Sequence, residues 1–272
     1  MVRFIKTSTL ELLDKEFGRC DRESNCGYFR SPTDNKPIVN IKDIASPPSL
    51  PNYHSWSELD NTWSNGSNNF LTYLKSIFDD MTIDNLQTLY YIGSCNKKWN
   101  NATIFWQVDT EGNVRAGKMM LYNKEIGSRV KSPYPHISWM HKINEYKHFN
   151  LSQCLFGLHL LNYMVIDGEE THEVRVVESE KTAIIMTGLM PEYIWMATGS
   201  KSNFKESMLA PLKSYNVVAY PDKSEFDGWS MVADKLNEKG FNIKVSKLLE
   251  QTNLDAGADL IDLSQQLLTE AN

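Results

Sequence analysis

The sequence predicts an α/β protein. Its carboxy-terminal part should be a mainly parallel central sheet flanked by helices, and its amino-terminal part α+β. Three observations carry this prediction. From residue 173 onward, apolar runs of strand length alternate with amphipathic segments of helix length, the order that builds a parallel sheet. Two of those runs, V-R-V-V at 174–177 and V-V-A-Y at 217–220, are each followed closely by a carboxylate, Glu178 and Asp222. Upstream, residues 103–109 and 114–122 read as strands joined by the turn T-E-G-N, a hairpin and therefore an antiparallel component.

Length and composition bound the rest. The 272 residues suffice for one large or two ordinary domains. A hydrophobic content of 41% and a charged content of 23% are those of a soluble globular chain. No run of about 18 apolar residues is present, so no membrane partner is expected. The opening M-V-R-F-I-K-T-S-T-L is too polar for a signal peptide, and the scattered cysteines (Cys20, Cys26, Cys95, Cys154) suit free thiols, so a cytoplasmic location is expected. The net charge of −6 argues against a surface coated with basic residues for duplex binding, but leaves room for a local basic groove.

The elements follow in chain order. Residues 2–6 read as a short strand, and residues 45–69 as loop, broken by paired prolines and Asn/Gly/Ser clusters. Apolar residues at helical spacing predict helices over 69–78 and 82–90, the second capped by Thr82 or Asp84. After the hairpin, residues 151–163 predict a buried helix. Then come strand, helix, strand, turn, strand, helix, a strand at 242–245 and a helix at 259–269.

In a parallel sheet the strand carboxyl ends share one edge, so Glu178 and Asp222 should face one crevice. Clustered carboxylates suit Mg²⁺, which takes hard oxygen ligands, keeps several waters and shares phosphate oxygens with a substrate. Each residue also has a plain structural role. A Glu at a strand end can favour a following helix dipole, worth about 0.3–1 kcal/mol, and an Asp after Pro is common in turns. The pairing of both strands and their carboxylates favours the functional reading.

The segment V-E-S-E-K-T-A-I, the small-residue turn A-T-G-S at 197–200 and Asp222 resemble the Toprim (topoisomerase–primase) domain, over roughly residues 165–272. The resemblance implies that Glu178 acts as general acid/base and that Asp222 holds Mg²⁺ or Mn²⁺. The family's second motif is Asp-x-Asp, and here its second position is Ser224; Glu225 or Asp227 would then supply the missing ligand. Lys181 and Thr182, at the start of the helix after Glu178, are candidates for phosphate. Lys181 equally suits a solvated pair with Glu178 or Glu180. The stretch D-A-G-A-D-L-I-D-L resembles the segment after the last strand in primase Toprim domains, with Asp259 and Asp262 as a third acidic position or, more simply, as helix caps.

Further upstream, F-W-Q-V-D, R-A-G-K-M-M-L-Y-N and C-L-F-G-L-H-L-L resemble the primase-like region of the same family. Arg115, Lys118, Lys124, Arg129 and Lys131 form a basic patch interleaved with Tyr122, Tyr134 and Trp139, suited to phosphates and stacked bases of a single strand. The segment G-R-C-D-R-E-S-N-C-G-Y-F resembles the second half of a zinc ribbon in related proteins of Bacteroides-type mobile elements. Zinc wants four N/S ligands, and Cys20 and Cys26 supply two, so no zinc is expected and the ribbon reads as degenerate.

The organisation expected is a ribbon-like segment at 1–40, a primase-like region at 41–164 and a Toprim domain at 165–272. The resemblance implies a primase-like nucleotidyltransferase of a phage or mobile element, acting on single-stranded DNA or RNA with nucleotides. A Toprim nuclease and an inactive binding module are the alternatives. No Walker A motif is present, so any helicase or replication partner would be a separate chain.

Overall fold

The computed structural model describes residues 2–4, 9, 11–14, 16–19, 29–32, 50–63, 66–163, 165–166, 169–170 and 173–270. The chain forms two units, Met1–Ser49 and Leu50–Asn272. In the first, β1 (Val2–Arg3), β2 (Gly18–Arg19) and β3 (Phe29–Arg30) pair antiparallel in the order β1-β2-β3. Cys20 and Cys26 lie outside the described residues.

The second unit opens with three helices, α1 (Trp56–Trp63), α2 (Asn69–Leu74) and α3 (Asp80–Leu89). Asn68 caps α2 by accepting from the Leu71 N–H at 3.0 Å, and Asp79 caps α3 by accepting from the Thr82 N–H at 2.7 Å. The cap of α3 is thus Asp79, not the expected Thr82 or Asp84, because the helix begins two residues earlier than the apolar spacing suggested. Next come β4 (Ile92–Cys95), β5 (Ala102–Val108), β6 (Val114–Met120) and β7 (Ile137–Trp139), an antiparallel sheet in sequential order. The hairpin expected from the sequence is β5–β6. A four-residue helix, α4 (Met140–Ile143), follows β7.

This sheet is buried on both faces. Leu59, Ile104, Trp106, Met119 and Met140 fill one side, while Phe105, Met120 and Tyr122 join the main core on the other. Lys118, in register with Phe105, shares that second face.

Residues 151–163 do not form the expected α-helix. An extended stretch pairs Phe156 with Ala197 through N–H···O bonds of 2.9 and 3.0 Å, and only Leu158–Tyr163 turns, as a 3₁₀ helix. Its continuous apolar run reflects burial on all sides rather than helical periodicity. A small hairpin, β8 (Val165–Ile166) and β9 (Glu169–Glu170), leads into the parallel sheet.

That sheet comprises β10 (Glu173–Val177), β11 (Ile194–Ala197), β12 (Asn216–Tyr220) and β13 (Asn242–Val245) in the order β11-β10-β12-β13, all parallel. Helix α5 (Glu180–Leu189) connects β10 to β11, the short α6 (Glu206–Leu209) precedes β12, α7 (Phe226–Asn237) connects β12 to β13, and α8 (Leu260–Glu270) packs on α5. Seven residues of α5 are buried, consistent with a helix covered on several sides. The Tyr90 hydroxyl, fully buried, donates to the Trp195 carbonyl at 2.7 Å and lies 2.6 Å from Thr187 Oγ1, joining α3 to β11 and α5.

Candidate functional site

The parallel register sets the site. Val177 stands opposite Ala197 on one side and Tyr220 on the other, so the residues just past these strands emerge on one edge. Glu178 follows β10 directly. Its carbonyl accepts from the Gly199 N–H at 2.8 Å, and the Val177 carbonyl accepts from the Thr198 N–H at 3.0 Å. Asp222 follows β12 by two residues. The two carboxylates open on one cleft of about 270 Å³.

A third acidic wall comes from the segment before α8. Lys223 N–H donates to the Ala258 carbonyl, and Gly257 N–H donates back to Lys223, each at 2.9 Å. The Lys223 ammonium adds a bond to the Thr252 carbonyl at 2.7 Å and one to Leu254. This stitching carries Asp259 and Asp262 into the cleft lining beside Asp222. Asp259 also caps α8, since its Oδ1 accepts from Ile261 and Asp262 at 2.8 and 3.2 Å, and Asp262 Oδ2 accepts from the Asp259 N–H at 2.9 Å. Its Oδ2 accepts from the Thr182 hydroxyl at 2.6 Å. Capping and cleft lining, posed as alternatives by the sequence, are both true of this residue.

The electrostatics follow from the crowding. Burial pushes the Asp222 carboxyl up to about 8, and the charges of Glu178, Asp259 and Asp262 push it the same way, against the pull of Arg129. Glu178 is also raised, chiefly by burial, with a hydrogen bond from the Lys201 backbone acting against it. Carboxylates that repel one another in a half-buried cleft form a donor set suited to a cation. Among the described residues, no three His, Cys, Asp or Glu side chains converge tightly enough to cage an ion by themselves. The donor set fits an ion such as Mg²⁺ that takes one or two carboxylates and fills its remaining positions with water and phosphate.

The cleft lining also holds basic residues. Arg129, Lys131 and Lys181 line the cleft with the hydroxyl residues Ser128 and Ser179. Lys118 lines it too, but its donors are taken. Its ammonium bonds both oxygens of Glu180, at 2.9 and 3.1 Å, and the Gly199 carbonyl at 2.8 Å. Sequence reasoning placed Lys118 in a basic patch, and nothing local signals its partner 62 residues away.

The remaining expected residues do not line the cleft, although the charge of Glu225 reaches Glu178. Asp227, in the first turn of α7, borders a separate depression with Ser224, Lys247 and Glu250. Glu225 pairs with Lys201 at 2.9 Å. Arg115 pairs with Asp109 at 3.3 Å and reaches the Tyr53 hydroxyl at 3.3 Å, outside the residues that line the cleft. Thr182 is buried and reaches the cleft only through Asp259.

Comparison with known proteins adds the following. The model of a family described as "Domain of unknown function (DUF6371)" matches residues 68–223, more than half of the chain. The model of a zinc β-ribbon finger family matches residues 1–38 and stands against the expectation that zinc is absent. No curated protein matches. Among solved structures, the RNA polymerase domain of Mycobacterium tuberculosis primase DnaG is similar with a TM-score of 0.52 and 12% identity, over 79% of each chain. The primase fragment of the bacteriophage T7 primase-helicase protein is similar with a TM-score of 0.47 and 14% identity, over 84% of this chain and 79% of that one. The mixed α/β fold, with its parallel sheet flanked by helices, is thus similar to that of a primase catalytic core.

Proposed function

The chain belongs to the DUF6371 family, and from that premise we propose that it is a primase-like nucleotidyltransferase with a Toprim-type site, acting on single-stranded DNA with Mg²⁺ or Mn²⁺. The observation that carries this reading is the cleft itself, which Glu178, Asp222 and Asp259 line together with Arg129, Lys131 and Lys181. Acidic groups alone would suit many cations. Basic groups in the same cleft suit a substrate that brings its own negative charge, as a nucleotide triphosphate or phosphodiester does.

Within this reading Glu178 is the general acid/base. Its carboxyl is held above the ordinary carboxylate range, chiefly by burial, the direction that suits a group that must carry a proton. Asp222 and Asp259 hold the metal, in place of the Glu225 and Asp227 expected from the sequence, and a bound metal would neutralise charge on the phosphoryl oxygens. Arg129, Lys131 and Lys181 bind and orient phosphates, with the exposed N–H groups at the start of α5 beside them. Lys118 holds Glu180 and the Gly199 loop in position.

The finer assignments are part of the same proposal. They are a ribbon at 1–40, a primase-like region at 41–164, a Toprim domain at 165–272, a separate helicase or replication partner, and a phage or mobile-element setting in the cytoplasm. No helix among the described residues is long and apolar enough to cross a membrane. A binding-only module is the second reading, and Ser224 at the position of the family's second Asp favours it, as does the lack of a three-carboxylate cage among the described residues.

Mn²⁺-dependent primer synthesis and strand cleavage on a single-stranded template, with wild type, Glu178→Gln and Asp222→Asn, test the proposal. Synthesis by wild type that both substitutions abolish is the expected result. Cleavage lost in the same variants points to a nuclease. Strand binding with neither activity sinks the enzyme reading.

A further inference from the structure

The loop between Val130 and His136 forms a lip beside the cleft. The His136 N–H donates to the Val130 carbonyl at 3.2 Å. Leu121, just past β6, holds both ends, at 2.9 Å from the Val130 N–H and 3.1 Å to the His136 carbonyl. Between these anchors, K-S-P-Y-P is exposed throughout. Lys131 at its start lines the cleft. Tyr134, three residues on and 52% exposed, lies flat on the His136 ring with centroids 4.6 Å apart and planes 17° apart. Trp99, from the β4–β5 turn, meets the other ring contact of His136 at 5.1 Å, and the Lys98 ammonium sits 4.8 Å over Trp99.

The Trp99 ring meets His136 at an interplanar angle of 60°, so it braces the stacked pair from its edge, and the exposed Tyr134 carries that pair into solvent. Exposed aromatic surface disfavours water, so a flat ligand that covers Tyr134 is favoured. The charge around it selects the ligand. The chain holds 34 acidic residues, yet residues 96–108 and 126–144 contain none, and they carry Lys97, Lys98, Arg129, Lys131 and Lys142. Two basic stretches of chain around an exposed aromatic ring fit a polyanion that has flat rings.

We propose that Tyr134, backed by His136 and Trp99, is a base-stacking platform that receives a single-stranded nucleic acid and delivers its backbone past Lys131 into the cleft. The proposal rests on the reading of the cleft as a nucleic-acid site and names how the strand enters it. Single strands suit it because their bases are free to stack on side chains, whereas duplex bases are already stacked.

The test is fluorescence anisotropy of a labelled oligo-dT with EDTA present, so that binding is measured without the metal site. Tyr134→Ala and Tyr134→Leu are expected to weaken Kd by about 5- to 150-fold, the range for losing one stacked base, and Tyr134→Phe to retain wild-type affinity. Tyr134 is exposed, so unchanged thermal melting of all three variants shows that folding is intact. Wild-type affinity in Tyr134→Ala and Tyr134→Leu overturns the platform and leaves the nucleotidyltransferase reading standing. Tyr134-dependent binding supports the platform even where no Glu178-dependent synthesis is found, and that combination counts only against the enzyme. Failure of wild type to bind in EDTA overturns the platform, and the metal-dependent cleft is then judged by the synthesis assay alone.

Discussion

Replacing Lys118 by Met removes a charge from the least exposed ion pair in the described structure while keeping most of the side-chain volume. Only 8% of the Lys118 side chain and 2% of the Glu180 side chain are exposed. Three hydrogen bonds, two to Glu180 and one to the Gly199 carbonyl, end on one ammonium. Without it the Glu180 carboxylate is buried with no counter-charge, a loss of about 3–5 kcal/mol. For a unit of this size each kcal/mol moves Tm by about 2–4 °C, so a fall of about 6–20 °C is expected. The double variant Lys118→Met with Glu180→Met removes both charges and should recover much of the loss, because two apolar side chains can replace a buried pair at little cost. Differential scanning calorimetry on wild type, both single variants and the double variant closes the cycle. Additive losses, or a Tm for Lys118→Met equal to that of wild type, would refute the view that this pair ties the two sheets at the cleft.

Other consequences are open to measurement. The folded Asp222 carboxyl, held at about 8, lies above its ordinary 3.8. It therefore favours the folded state below about pH 4, and that contribution is lost as pH rises through about 8. Without divalent metal, Tm should fall across this window, Mg²⁺ or Mn²⁺ should restore it most at the alkaline end, and Asp222→Asn should flatten the slope; equal slopes in both proteins would count against the repulsion. Tyr90→Phe takes the donor away from the Trp195 carbonyl in a fully buried place, so the urea midpoint should drop by an amount equivalent to about 1–3 kcal/mol with the m-value unchanged. Gly199→Ala forces a methyl to 2.9 Å from Glu180 Oε1 at a backbone φ of +75°, and should lower Tm and disturb the Lys118 contacts together.

Much of the architecture was legible because period and register are local. Val-rich strands alternating with helices gave the parallel sheet, and a Gly-containing turn between two strands gave the hairpin. Glu178 and Asp222 could be placed together because parallel strands end on a common edge. Asp259 was harder. A capping Asp and a cleft-lining Asp have the same local sequence, and only the long-range bonds from Lys223 to Gly257 and Ala258 separate them. Asp227 attracted attention by proximity in sequence, but the turn after Asp222 starts α7 and takes Asp227 to another surface. Lys118 read as one member of a basic run. Its role depends on which face of β6 it occupies and on a partner at the start of α5, and composition holds neither fact.

The stitched acidic wall also bears on the protein's synthesis. Glu178, Asp222 and Asp259 leave the ribosome in that order, with Asp259 following Glu178 by 81 residues. At about 5–20 residues per second, the last carboxylate trails the first by roughly 4–16 s. During that interval a nascent chain can have its first strands paired while its cleft lacks a wall. A half-made molecule on a polysome thus has an incomplete cleft, and under the function proposed above the site would be whole only when the final helix docks.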